Sequence, residues 1–198
     1  MRPVLLDYVA ALGHAVFENG LYNLNIIGIR TPDDDANKFN DRICLVYKDE
    51  QGWVTRTWPC TTDPGTYWRE HPMNVDGTAI LVPGQYRGAY KIGLHRGSYE
   101  ALVQRGSGDK VKVYRDGNKD DILDMDPEDI AEGRYGINIH KSSSRDEGSE
   151  NVDKWSAGCQ VFSKPGSDGF EAFMALCNKS AEIYSDQFTY TLIVAPEL

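Results

Sequence analysis

Tyr135-Gly-Ile-Asn-Ile-His-Lys-Ser-Ser-Ser144 and Trp155-Ser-Ala-Gly-Cys-Gln-Val-Phe162 are the two halves of the stretch that decides this chain. The first half alternates apolar and polar residues and ends on His140, which predicts a strand delivering a histidine at its C-terminal end. Between the halves, Ser142 to Lys154 holds Arg145, Asp146, Glu147, Gly148, Glu150 and Asp153 with almost nothing apolar, so it reads as a solvated loop. The second half sets Cys159 after a small Ser-Ala-Gly turn and before Gln160-Val161-Phe162, which re-enters a sheet. Two strand ends joined by one loop bring His140 and Cys159 face to face. Only a thiolate attacks well, and a histidine within hydrogen-bond reach takes the thiol proton or stabilises the anion. Gly158, lacking a side chain, is expected to leave the backbone open beside the sulfur, so that nearby N–H groups stabilise an oxyanion. Trp155 is expected to wall the pocket and Ser156 to orient the turn. A carbonyl near Lys141 or Ser142 is expected to set the His140 tautomer. The competing reading is a buried structural cysteine near an unrelated histidine.

At these residues the chain resembles the L,D-transpeptidase catalytic domain, the YkuD-like fold. Ile139-His140-Lys141-Ser142 is similar to that family's histidine segment, often Ile-His-Gly-Thr. Ser156-Ala157-Gly158-Cys159 is similar to its Ser/Thr-His-Gly-Cys, and the spacing of nineteen residues between His140 and Cys159 fits as well. Upstream, Thr62-Asp63-Pro64-Gly65-Thr66-Tyr67 is similar to the family's Thr-Pro-x-Gly-x-Tyr segment. Ala157 replaces the second histidine, Lys141 replaces a glycine, and Gln160-Val161 stands where an apolar residue and Arg are usual. The resemblance implies an α+β fold, mostly β sheet or sandwich, with an N-terminal helix and a helix after the cysteine. It also implies a cysteine-dependent enzyme acting on peptidoglycan stem peptides through a thioester. Cys159 is then the nucleophile, His140 the base, and Gly158 and Ser156 complete the catalytic turn, with Tyr135, Trp155, Arg87 and Lys141 binding substrate. Hydrolysis or exchange depends on whether water or an amine resolves the thioester. A non-catalytic wall-binding module keeping the fold is the alternative. A papain-like peptidase fits less well, because there the cysteine precedes the histidine.

The chain has 198 residues and a net charge of −9, suited to one domain over residues 1–198. That charge argues against nucleic acid as a partner. No apolar run approaches a membrane span, so no membrane insertion is expected. Met1-Arg2-Pro3 leads into a stretch interrupted by Asp7, without a cleavage site, and reads as no signal peptide. The expectation is synthesis in the cytoplasm and action at the bacterial wall by another route, such as a phage or prophage lysis enzyme (an endolysin) or an exported effector. Cys44, Cys60, Cys159 and Cys177 form neither a disulfide framework nor a zinc motif, and Cys44 and Cys177 read as core. No cofactor is expected.

Val4 to Glu18 carries apolar residues at helical spacing, closed by Gly20, and forms an N-terminal elaboration over residues 1–20. His14 beside it reads as packed or surface. Leu21–Arg30 reads as a strand, Asp33-Asp34-Asp35 as a solvated turn, and Arg42–Lys48 with Trp53–Trp58 as a hairpin. The Thr62–Tyr67 segment reads either as a groove wall or as a plain turn. Tyr86–Arg96, which includes Arg87 and His95, is the densest basic stripe. It suits substrate carboxylates or a solvated strand face, and His95 has no neighbour at metal-ligand spacing. Asp116, Asn118 and Asp120 resemble the start of a calcium loop, but Asp121 and Pro127 break the pattern, and an acidic turn fits better. No metal site is expected. Asp126–Ile130 reads as the start of a short helix leading into the Tyr135 strand. A helix follows the cysteine, with Ser167 or Asp168 and Glu171 as its capping signal. A last strand, Phe188–Val194, turns Phe188, Tyr190, Leu192 and Val194 to one face.

Overall fold

In the computed structural model, residues 1–33, 36–120 and 122–195 are described. Asp34 and Asp35 of the acidic turn, and Asp121 of the proposed calcium loop, lie outside the described residues. The elements run α1 (Val4–Ala11), β1 (Asn25–Arg30), β2 (Asp41–Asp49), β3 (Gly52–Thr61), α2 (Thr66–Glu70), β4 (Thr78–Leu81), β5 (Gly84–His95), β6 (Tyr99–Val103), β7 (Val111–Asp116), β8 (Ile130–Gly133), β9 (Ile139–Lys141), β10 (Gln160–Phe162), α3 (Phe170–Ile183) and β11 (Gln187–Val194). The chain is mostly β with few helices, as the alternating patterns predict. Eight strands close into a barrel in the order β1-β11-β5-β6-β9-β10-β3-β2, and β4-β7-β8 form a separate three-stranded sheet. The pairings β1 with β11 and β9 with β10 are parallel, and the other barrel pairings are antiparallel.

The period of two sorts the barrel residues. Ile43, Leu45 and Tyr47 of β2 share the central core with Phe188, Tyr190 and Leu192 of β11 and with Phe170, Phe173, Met174 and Cys177 of α3. The alternate positions Ile27, Cys44, Val46 and Ile193 form a second cluster with Leu6 and Val9 of α1. β2 is therefore covered on both faces, which accounts for its unbroken apolar run. Val194, expected on the inner face, is exposed.

Four local expectations are corrected. The first helix stops at Ala11 rather than reaching Gly20. Gly13 adopts φ +82°, its N–H bonds Ala10 O, and His14 N–H bonds Val9 O. This is a Schellman stop, which a glycine makes without strain. Beyond it Phe17 is held by the Asn25 amide and Ala15 by the Gln85 amide. Asp126–Ile130 is not a helix: Asp126 takes the Glu128 N–H on its side chain and the Asp129 N–H on its carbonyl. Ile130 then enters β8 opposite Tyr114. The expected strand from Tyr135 is confined to Ile139–Lys141. At α3 the cap position is Gly169 without a side-chain bond, and Glu171 instead accepts from Gly166 N–H and Lys141 Nζ. No helix among the described residues is long and apolar enough to cross a membrane.

A buried ionic network ties the barrel to the second sheet. Arg30, at the end of β1, donates to Thr62 Oγ1 (3.0 Å), Thr62 O (2.9 Å) and Leu81 O of β4 (2.9 Å), and lies 2.9 Å from Asp63. Asp41 accepts from Thr62 N–H and Oγ1 (2.7 Å each) and from Thr31 N–H. Burial raises Asp63 to about 6, although Arg30 opposes the shift. Removing one partner of such a network strands the others without water. Arg30→Leu is expected to lower stability by about 3 kcal/mol or more, read as a shift of the urea midpoint at pH 7.

Candidate active site

β9 and β10 are three residues each and run side by side, with Gln160 opposite Ile139 and Val161 opposite His140. The pairing extends one step back, where Asn138 O accepts the Gln160 N–H at 2.9 Å. Ile139 and Phe162 belong to the central core. Alternation therefore turns His140 and Cys159 to the other, outer face. They are diagonal neighbours, with Cα atoms roughly 8 Å apart from strand spacing and rise. The register thus puts the two residues on one face of the sheet.

His140 is buried and its Nδ1 donates to Lys141 O at 2.9 Å. Tyr99 OH also donates to Lys141 O, at 3.3 Å. A carbonyl only accepts, so Nδ1 carries the proton and Nε2 carries the lone pair. Burial, then the neighbouring His95, depress its pKa to about 3, so at neutral pH it is an uncharged base. Cys159 is partly exposed. Its Sγ donates towards Gly136 O (3.6 Å) and accepts from Asn138 N–H (3.4 Å). None of its hydrogen bonds runs to His140 among the described residues. Burial raises the thiol pKa, with the Asn138 N–H and Arg96 pulling the other way, so the resting sulfur is a thiol.

The turn before the sulfur differs from expectation at Gly158. Its N–H is taken by Ser156 Oγ (3.1 Å), and that hydroxyl donates to Cys159 O (2.8 Å). Ser156 thus closes the turn on itself. Gly158 has φ +112°, and a Cβ there would lie 2.3 Å from Ala79 O of β4. The glycine is required by close packing against the second sheet and does not open the backbone to solvent. The Cys159 N–H has no acceptor among the described residues and so is available to a ligand.

One cavity is lined by His140 and another by Ala157 of the cysteine turn, and Cys159 lines neither. The first, about 190 Å³, is lined by His95, Tyr99, His140, Lys141, Lys154 and Trp155, together with Arg96 and Ser98. The other, about 140 Å³, is lined by Tyr135, Arg115, Ala157 and residues of β4 and the turn before it. Trp155 and Lys141 thus line one cavity and Tyr135 the other, with Lys141 also paired to Glu171 and Tyr135 stacked under Arg115. Arg87 lines neither. It is exposed on β5, eight residues and roughly 26 Å along the strand from His95 at 3.3 Å per residue. Thr62 and Asp63 are buried in the Arg30 network rather than walling a groove, whereas Tyr67 lines a surface cleft with Trp155 and Lys154.

Sequence reasoning passed over Tyr99 and Asn138, and it weighed His95 only within the basic stripe and as a metal ligand. The His95 and His140 rings stack with centroids 4.0 Å apart. Asn138 Oδ1 accepts the Gln104 N–H at 2.9 Å and its Nδ2 lies 3.1 Å from His95 Nδ1. The available signal was that His95 and Tyr99 bracket a short Arg96-Gly97-Ser98 turn, which places both at one strand end. Asp116 is committed to a buried pair with Arg69 (3.1 Å) and Asn118 bonds Asp120. No group of His, Cys, Asp or Glu suited to a metal ion occurs among the described residues.

Set against protein-family models, curated proteins and solved structures, the chain matches none.

The imidazoles set a pH dependence. His140 at about 3 and His95 at about 4 both lie below the usual 6.5, so the unfolded chain binds these protons first. Their contribution to stability is present above about pH 6.5 and is lost as pH falls towards 4 and 3. Asp63, raised to about 6, acts in the opposite sense, so the informative quantity is a difference. Between pH 6.5 and 4.5 the urea midpoint of the wild type should fall more steeply than that of His140→Asn.

Proposed function

We propose that this protein is a cysteine-dependent enzyme of the L,D-transpeptidase type that processes peptidoglycan stem peptides. The observation that carries the reading is a neutral His140, with Nδ1 held by a carbonyl and Nε2 free, on the same face as a partly exposed Cys159 one strand away. In the proposed reaction Sγ swings from Gly136 O towards His140, and Nε2 takes the thiol proton. The thiolate attacks the peptide carbonyl, and the Cys159 N–H receives the developing oxyanion. The C–N bond then breaks, and His140 returns the proton to the leaving amine. Water or an amine attacks the thioester that remains, giving hydrolysis or exchange. Peptidoglycan is the proposed partner and the bacterial cell wall the proposed place of action, with a phage or prophage lysis role among the routes to it. A non-catalytic wall-binding module has one observation in its favour, the resting sulfur bonded to Gly136 O and Asn138 N–H instead of His140.

Incubation of wild type and Cys159→Ala with purified peptidoglycan, followed by mass analysis of muropeptides, tests the proposal. New products of defined mass are expected from the wild type, with a drop of at least about a hundredfold in Cys159→Ala. Iodoacetamide should also modify Cys159 well before the buried Cys44, Cys60 and Cys177. Absence of products together with uniform, slow alkylation would favour the binding module.

A further inference from the structure

The cavity beside His140 has a chemistry of its own. It gathers Arg96, Lys141 and Lys154 round two aromatic walls, Tyr99 and Trp155, in a chain of net charge −9. Lys141 is paired with Glu171 and Lys154 lies over the Tyr67 ring. Arg96 has no carboxylate partner among the described residues. Its backbone is also unusual: Arg96 (φ +50°) and Gly97 (φ +71°) are the two central residues of the turn closed by Ser98 N–H on His95 O. Both positions are left-handed, and the first is one that asparagine or glycine ordinarily fills. An arginine here accepts backbone strain and stands at the mouth of the cavity.

His95 supplies a second feature. The Gln104 N–H fixes which end of the Asn138 amide is oxygen, so Nδ2 is the end that faces His95 and donates to its Nδ1. The His95 proton therefore sits on Nε2. The stacked rings carry opposite tautomers: His140 offers a lone pair at Nε2, and His95 offers an N–H. Burial and Arg96 keep His95 uncharged at neutral pH, so this donor is permanent and directional.

We propose that this cavity is a carboxylate-binding subsite, with the Arg96 guanidinium supplying charge and the His95 Nε2–H a directed hydrogen bond. It would seat an anionic group of the peptide whose carbonyl meets Cys159. That last link rests on the peptide-processing reading, whereas carboxylate binding itself needs no nucleophile.

The probes are N-acetyl-D-alanine and its neutral analogue N-acetyl-D-alaninamide, titrated into the full chain while the ring signals of His95 and His140 are followed by NMR. The carboxylate should shift both rings, and the amide should not. Arg96→Asn suits the left-handed turn and so preserves the fold. It should weaken carboxylate binding about fivefold or more, the scale of a partly exposed ionic contact, while Arg96→Lys should retain most of it. Cys159→Ala should bind as the wild type does. Equal responses to the two probes, no response to either, or full carboxylate affinity in Arg96→Asn would overturn the subsite. Carboxylate binding by a protein that yields no muropeptide products would sink the catalytic reading and leave the subsite standing. Product formation without a carboxylate preference would do the reverse.

Discussion

The parallel pairing of β9 with β10 is the constraint on which both barrel and site depend. Each strand contributes three residues, and β9 meets β6 at a single position, Leu102 opposite Ile139. This is the thinnest part of the barrel wall. Its inner side is apolar, with Ile139 and Phe162 in the core that α3 covers. Its outer side carries His140 and Cys159. One short ladder thus closes the barrel and sets the spacing between a base and a sulfur. A slip of one residue would turn His140 inwards and Ile139 outwards, so core packing enforces the register the site needs.

Around that ladder the polar groups are arranged to hold tautomers rather than charges. Lys141 O takes the Nδ1 proton of His140, Asn138 presents a donor to His95, and the two rings stack. Neither imidazole has a carboxylate partner among the described residues, and burial keeps both neutral. Charge lies at the rim, on Arg96, Lys141 and Lys154. A buried, neutral base with cations at its edge suits proton transfer from a thiol and attraction of an anionic ligand. Burial raises the thiol pKa of Cys159, so the resting sulfur holds its proton, which the proposed reaction would pass to His140.

The second sheet has a structural part in the same site. Gly158 packs its bare Cα against Ala79 O of β4, and Gly65 N–H bonds Ser156 O. The cysteine turn is clamped from two sides. Arg30 fastens β4 to β1 and to the Thr62–Asp63 segment. The buried charges therefore act at a distance from the sulfur by fixing the wall that the turn leans on.

Much of this was legible in the chain itself. Period-two alternation marked the hairpin of β2 and β3 and the last strand, helical spacing marked α3, and the strand-end histidine with the Ser-Ala-Gly-Cys turn marked His140 and Cys159. These signals are local: each follows from backbone geometry and a face to be buried. The end of α1 at Gly13 was local too, but the helical stripe continued past it and masked the stop. What the sequence could not supply was partnership across distance. His95 lies forty-five positions before His140, and only barrel closure brings their rings together. Arg87 and Arg96 share one basic stripe, yet an extended strand carries one away from the site and a three-residue turn leaves the other beside it. Local chemistry is written residue by residue, whereas neighbours in space are chosen by which strands find each other, and that choice belongs to the folded barrel.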